Sequence, residues 1–153
     1  LGVCNGCQLL TQLGWVNAKM ERNDSKRFES RYSTVCIRDT NSILLKGMEG
    51  GVLGVWVAHG EGKFTGLKTA DVPIYYTDNS GKRTSDYPLN PNGSERSAAA
   101  VCSADGRHLA MMPHPERCVL NRQNPYVPPR WSKNKYYPWR RLFLNAYDFC
   151  DEI

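Results

Sequence analysis

The sequence predicts an α/β domain. Short apolar runs of strand length outnumber the segments of helical period, and turns rich in Gly, Asn, Asp and Pro separate them. No internal repeat or low-complexity segment interrupts the pattern. With 153 residues, 41% hydrophobic and 23% charged, the chain has the length and balance of one globular domain able to bury a core. Residues 1–3 read as the end of a buried strand, Cys4-Asn5-Gly6 as a sharp turn, and Leu9, Leu10 and Leu13 as the apolar positions of a short helix. Asn23-Asp24-Ser25 signals a loop. Residues 32–37, 52–58 and 74–77 read as strands, the last stopped by Asp78-Asn79-Ser80-Gly81. Residues 90–94 are dense turn chemistry, and residues 98–102 and 107–112 form a hairpin about Ala104-Asp105-Gly106. Pro138 suits the first turn of a final helix with Trp139, Leu142, Phe143, Ala146 and Phe149 as its apolar stripe. The joints at 16–19 and 68–72 are unusually short, so loops are expected to be missing at one or both places.

Composition narrows the function. No apolar run approaches the ~20 residues that span a bilayer, and no basic-then-apolar signal opens the chain. The chain starts at Leu1 rather than Met, so a fragment or processed piece is expected. The formal charge of +5 is too weak to argue for nucleic acid by itself. Six cysteines permit three disulfides. Yet several lie in apolar runs, where a thiol behaves as a small hydrophobe, and the chain is long enough to fold without staples. A reduced, cytoplasmic protein is expected.

The segment Gly2-Val3-Cys4-Asn5-Gly6-Cys7-Gln8 carries the strongest chemical signal. Strand, tight turn and helix in that order make a nucleophile elbow, with cysteine as the nucleophile. The turn lifts the Cys4 side chain clear of the backbone. Gly2 and Gly6 are expected to remove Cβ atoms that would crowd it. The helix N-terminus favours thiolate, and the Asn5 N–H is placed to bind an oxyanion. Cys4 and Cys7 could alternatively be a redox pair or half a zinc site. No second such pair exists, and the three histidines lack ligand spacing, so Cys7 reads as a packing residue.

A cysteine nucleophile needs a base and a group to orient it. His114-Pro115-Glu116 supplies both: in an extended segment residues i and i+2 point the same way, so Glu116 can reach the His114 ring. His108 reads as a packing residue. His59-Gly60-Glu61-Gly62 follows an apolar strand and reads as a site-facing loop whose glycines let backbone approach a ligand. Residues 117–147 hold seven Arg or Lys, no Asp or Glu, and the interleaved aromatics Tyr126, Trp131, Tyr136, Tyr137 and Trp139. That patch could hold RNA or an acidic protein surface.

Together GVCNGCQ and the later MMPHPER resemble a class I (triad) glutamine amidotransferase domain. RNDSKRFESRY, GMEGGVLGVWVAHGEG, DYPLNPNGS and DGRHLAMMPHPERC narrow the resemblance to the C-terminal glutaminase domain of the phosphoribosylformylglycinamidine synthase family, along essentially the whole chain. The resemblance implies a flavodoxin-like three-layer sandwich built on a central parallel sheet. Residues 1–153 would be the C-terminal portion of that domain, without its first strands and without the synthetase domain. It implies that Cys4 attacks the glutamine side-chain amide, that His114 moves the protons and that Glu116 orients His114. It further implies that the Asn5 N–H belongs to the oxyanion hole, that Gln8 contacts glutamine, and that backbone groups of Gly60 and Glu61 hold its amino-acid end. No metal or cofactor is expected in this chain. ATP and magnesium are expected in the separate synthetase domain, the partner that receives ammonia; neither nucleic acid nor membrane is expected as a partner. Glu95-Arg96 departs from the proline that relatives often carry after NPNGS. A different cysteine hydrolase on the same fold, or a binding module without catalysis, are the competing readings.

Overall fold

The computed structural model describes residues 1–151. The elements are β1 (Gly2–Val3), α1 (Asn5–Gln12), β2 (Lys19–Glu21), β3 (Glu29–Ile37), β4 (Val52–His59), β5 (Lys63–Thr65), β6 (Asp71–Tyr76), β7 (Ala98–Cys102), β8 (Leu109–Met111) and α2 (Arg140–Asp151). Six strands form one sheet in the order β1-β8-β7-β6-β3-β4, and β2 pairs with β5 in a separate ribbon. The expected strands are all present, with β3 and β6 starting earlier, at Glu29 and Asp71. The β2–β5 ribbon is new: Lys-Met-Glu and Lys-Phe-Thr are too short and too charged to show as apolar runs.

The implied parallel sheet is corrected. Among the described residues only β1 and β8 pair in parallel, Gly2 with Ala110 and Val3 with Met111. The other ladders are antiparallel. The reason is connectivity, since parallel neighbours need a long crossover, usually a helix, and no α-helix lies between β2 and β8.

Alternation along the strands makes two cores. Val101, Ala110 and Met112 pack with Cys7 and Leu10 of α1 on one face. Ala100, Cys102, Leu109 and Met111 share the other face with Trp139 and Leu142. The sheet therefore lies between α1 and α2, giving three layers.

An edge strand exposes a row of unpaired backbone groups unless something covers it. Here β4 is the edge, and its even-numbered residues face outward. Gly54 donates its N–H to the Tyr137 hydroxyl at 3.1 Å and accepts the Trp139 indole N–H at 2.8 Å. The Trp56 carbonyl accepts the His114 N–H at 2.8 Å. The Ala58 carbonyl accepts the Cys4 thiol at 3.6 Å. The sheet curls enough for the segment after β8 to reach the far edge.

This packing corrects the reading of the basic, aromatic stretch. Trp139 and Tyr137 are buried, and Trp131 packs edge-on against Tyr137, with ring centroids 5.7 Å apart. Of the five interleaved aromatics Tyr126 and Tyr136 remain exposed, as does Tyr147 on α2. Most of the aromatic side chains there cover β4 and the core rather than offering stacking platforms. The final helix starts at Arg140, so Pro138 lies in the turn ahead of it. Its buried stripe contains a polar residue: Asn145 is 4% exposed and donates to the Leu44 and Lys46 carbonyls at 2.9 and 2.8 Å.

Where β1 meets α1, a Cβ on Gly2 would lie 2.5 Å from the Gly6 carbonyl oxygen. A Cβ on Gly6 would meet nothing within 4 Å. Crowding therefore dictates glycine at position 2 but not at position 6, because the Gly6 α-carbon faces outward on the helix.

Replacing Asn145 by leucine keeps the volume but strands two carbonyls, and should cost about 2 kcal/mol. A lowered denaturant midpoint at unchanged slope would show it. Gly2→Ala should cost about 1–3 kcal/mol through overpacking. Gly6→Ala should stabilise by up to about 1 kcal/mol through helix propensity. Thermal denaturation of the two variants, compared with the parent, checks the contrast.

Candidate active site

Cys4 occupies the turn between β1 and α1 with φ 50° and ψ −105°. A non-glycine residue in that region is strained and persists only where its surroundings hold it. Here the Cys4 N–H donates to the Met111 carbonyl at 2.9 Å, and the Cys4 carbonyl accepts the Gln8 N–H at 3.1 Å. The side chain is thereby pushed out of the strand, onto the Ala58 carbonyl. Asn5 is the first residue of α1, where N–H groups have no intrahelical acceptor. Cys7 is fully buried, and burial pushes its thiol pKa far above the ordinary value, with nearby Cys4 adding to the effect. It stays a neutral packing group, as expected from the sequence.

His114 is buried, and its Nδ1–H donates to Glu116 Oε1 at 2.6 Å. The pair forms as expected but by a different route. Pro115–Cys118 is a 3-10 turn rather than an extended segment, because the Arg117 N–H closes back onto the His114 carbonyl at 3.2 Å. With Nδ1 committed, Nε2 is left as an acceptor. It is buried and has no hydrogen-bond partner among the described residues. The anchors of His114 and Cys4, Trp56 and Ala58, are two residues apart on one strand edge, which separates them by about 7 Å.

Residues 59–62 form a loop held from three sides. The Gln8 amide of α1 donates to the Glu61 carbonyl at 2.8 Å, so the two predicted substrate-contact positions meet each other. Asn92 donates to the Gly62 carbonyl at 2.6 Å, and the Ser94 hydroxyl accepts the Phe64 N–H at 2.9 Å. Asn23 bonds His59 and Gly62. The glycines play different parts. A Cβ on Gly62 would fall 2.6 Å from the His59 ring, whereas at Gly60 the nearest atom is Phe28 at 3.8 Å. Gly62 is needed for packing, and Gly60 leaves open space. His59 itself is 2% exposed, and burial is the main cause of its pKa of about 4, with the charges of His114 and Arg31 lowering it further. It is a neutral imidazole at physiological pH. His108 stacks on Trp15 at 4.8 Å between centroids, a packing role as predicted.

Asn23, Asn92 and Ser94 were not among the predicted site residues. Their signal, runs of Asn and Ser, reads first as turn chemistry. Only burial tells a hub from a turn. The departure at Glu95-Arg96 also has a place: Glu95 accepts the Leu67 N–H, and Arg96 donates to the Leu67 and Ala70 carbonyls. Both residues clamp one of the two short joints, and Asn17 of the other joint donates to Thr69 at 2.7 Å.

Comparison with known proteins agrees with this geometry. The model of the CobB/CobQ-like glutamine amidotransferase domain matches residues 1–150. A probable phosphoribosylformylglycinamidine synthase, chloroplastic/mitochondrial, of Arabidopsis thaliana is 47% identical over 99% of this chain and 12% of its own length. Phosphoribosylformylglycinamidine synthases of Dictyostelium discoideum and Homo sapiens are 44% and 41% identical, over 100% and 95% of this chain. The chain spans 13% of each of those two relatives. The Arabidopsis match runs over 174 residues against a chain of 153, so the match is longer than this chain. A chain of the solved PurLQS structure from Thermotoga maritima shares the fold, with a TM-score of 0.72 at 20% identity over 97% of this chain and 60% of that one. An elbow cysteine, a histidine–carboxylate pair on the same strand edge and a family match along nearly the whole sequence converge: the chain belongs to the CobB/CobQ-like glutamine amidotransferase domain family.

Proposed function

We propose that this chain is the glutamine-hydrolysing part of a phosphoribosylformylglycinamidine synthase. The observation that carries the reading is the buried, unpartnered Nε2 of His114, with Nδ1 held by Glu116, beside a cysteine on a strained elbow. Nε2 takes the Cys4 thiol proton as Sγ attacks the side-chain amide carbon of glutamine. The Asn5 N–H stabilises the oxyanion. His114 returns the proton to the departing nitrogen, and ammonia leaves a γ-glutamyl thioester on Cys4. His114 then activates water, which releases glutamate and restores the thiol. Glu116 keeps His114 in the Nδ1–H tautomer and stabilises its charged form. Gly60 and Glu61 hold the amino-acid end of the substrate through backbone groups. Gln8 acts on that end indirectly, since its amide is bonded to Glu61.

In this reading residues 1–153 are part of a glutaminase domain within a longer protein. The ammonia passes to a synthetase domain, where ATP and magnesium activate formylglycinamide ribonucleotide for conversion to the amidine in purine synthesis. The named relatives, of which this chain matches 12–13%, support that setting. The six cysteines are all unpaired, which supports a reducing compartment, while the Arabidopsis relative is named for the chloroplast or mitochondrion. No helix among the described residues is long and apolar enough to cross a membrane.

Treating the natural full-length protein with 6-diazo-5-oxo-norleucine should place one adduct on Cys4 and abolish glutaminase activity, read by peptide mass spectrometry. No adduct on Cys4, or equal labelling of Cys7, would sink the reading. Glu116→Gln should lower kcat about 10²- to 10⁴-fold with little change in KM, measured as glutamate release.

A further inference from the structure

Asn23 is 1% exposed, and every hydrogen-bonding capacity of its side chain is in use. Nδ2 donates to the carbonyls of Arg27 at 2.9 Å and His59 at 2.7 Å. Oδ1 accepts the Gly62 N–H at 3.1 Å and lies 3.2 Å from His59 Nδ1. Its backbone N–H adds a bond to the Gly60 carbonyl at 3.0 Å. One residue therefore ties the loop 59–62 at three of its four positions. The fourth, Glu61, is tied through its carbonyl to Gln8 on the elbow helix. With these carbonyls held, the N–H groups of Gly60 and Glu61 bond no acceptor among the described residues, and Gly60 has open space around its α-carbon. Two adjacent free N–H groups in a fixed loop suit a carboxylate.

We infer that Asn23 is a positioning residue: by fixing the loop 59–62 it sets the Gly60 and Glu61 N–H groups that receive the α-carboxylate of glutamine, and so governs substrate affinity rather than thiol chemistry. The inference rests on the glutaminase reading above. Asn23 acts through backbone that touches substrate, and it does not touch the reacting atoms.

Asn23→Asp keeps the shape but turns two donors toward two carbonyls as acceptors, which repels them. In the natural full-length protein this should raise KM for glutamine about tenfold or more, the effect of losing one well-made buried hydrogen bond. The kcat should stay within about threefold, as for loss of binding shared by ground and transition states. The rate of inactivation by 6-diazo-5-oxo-norleucine at low concentration, which needs the amino-acid end, should fall by the factor by which KM rises. Alkylation of Cys4 by iodoacetamide, which needs only the thiol, should be unchanged. If the aspartate variant does not fold, Asn23→Ser carries the same test, since it removes the amide that reaches both carbonyls without adding charge. An unchanged KM, or equal loss of both alkylations, would overturn the inference while the parent protein still hydrolyses glutamine. Failure of the parent to hydrolyse glutamine would overturn the glutaminase reading and this inference with it.

Discussion

The outward-facing backbone groups of β4 have no neighbouring strand to satisfy them, and the molecule is organised around supplying what they lack. A phenol and an indole serve Gly54, a backbone N–H serves Trp56, and a thiol serves Ala58. The first two come from the aromatic stretch ahead of α2, the third from the segment after β8, the last from the elbow after β1. An edge that would otherwise invite another chain is thus closed by three separate parts of this one. The same closure draws the cysteine and the histidine, carried by the neighbouring strands β1 and β8, together onto β4 at the opposite end of the sheet order. Curling of the sheet and assembly of the site are one physical event. A change that frees the edge would loosen the chemistry even if it touched neither side chain.

Behind the elbow, the site is carried by buried amides rather than by ions. Asn23, Asn90 and Asn92 are each 2% exposed or less: Asn23 grips the loop 59–62, Asn92 ties that loop to 90–94, and Asn90 closes 90–94 on itself through the Ser94 carbonyl. Amides suit this work, because one side chain both donates and accepts and carries no charge to desolvate. The buried Glu29 of β3, which pairs with Arg31, sits opposite His59, and two other ion pairs lie further out. Lys63 reaches Asp24 at 2.6 Å, and Arg38 reaches Asp71, both with exposed partners, where such pairs contribute little. His59 follows the same logic as the amides. Burial keeps it neutral, so it can sit beside Asn23 and near His114 without adding charge to the site.

What could be read in the sequence was what lies close together along it. The elbow is seven contiguous residues, and the histidine–carboxylate pair is two residues apart, so local chemistry announced both. The larger strands were legible because their apolar runs are long, and the hairpin at 98–111 because its turn residues are distinctive. The clamp and the edge were not legible. Cys4 meets Ala58 across 54 positions, Trp139 meets Gly54 across 85, and Asn23 meets His59 across 36. Nothing local distinguishes an asparagine that opens a turn from one that locks two loops. The aromatic stretch misled for the same reason: tyrosine and tryptophan between arginines look like an exposed platform until the strand edge they cover is known. Asn145 was passed over within an apolar stripe because the carbonyls that need its amide lie about a hundred residues earlier.

One consequence concerns chemical ageing. Asn92-Gly93 is the kind of dipeptide that cyclises to a succinimide and loses its amide when the chain is mobile. In the fold this chemistry is blocked. The Asn92 amide is fully buried, its nitrogen held by the Gly62 carbonyl and its oxygen by the Ser94 N–H, so the side chain cannot swing onto the Gly93 nitrogen. Unfolding removes that protection. An aspartate formed there would lose the donor that grips the loop 59–62 on refolding. The bond that shapes the loop thus also records time spent unfolded, and repeated heating would erode this protein irreversibly even where each single melting is reversible.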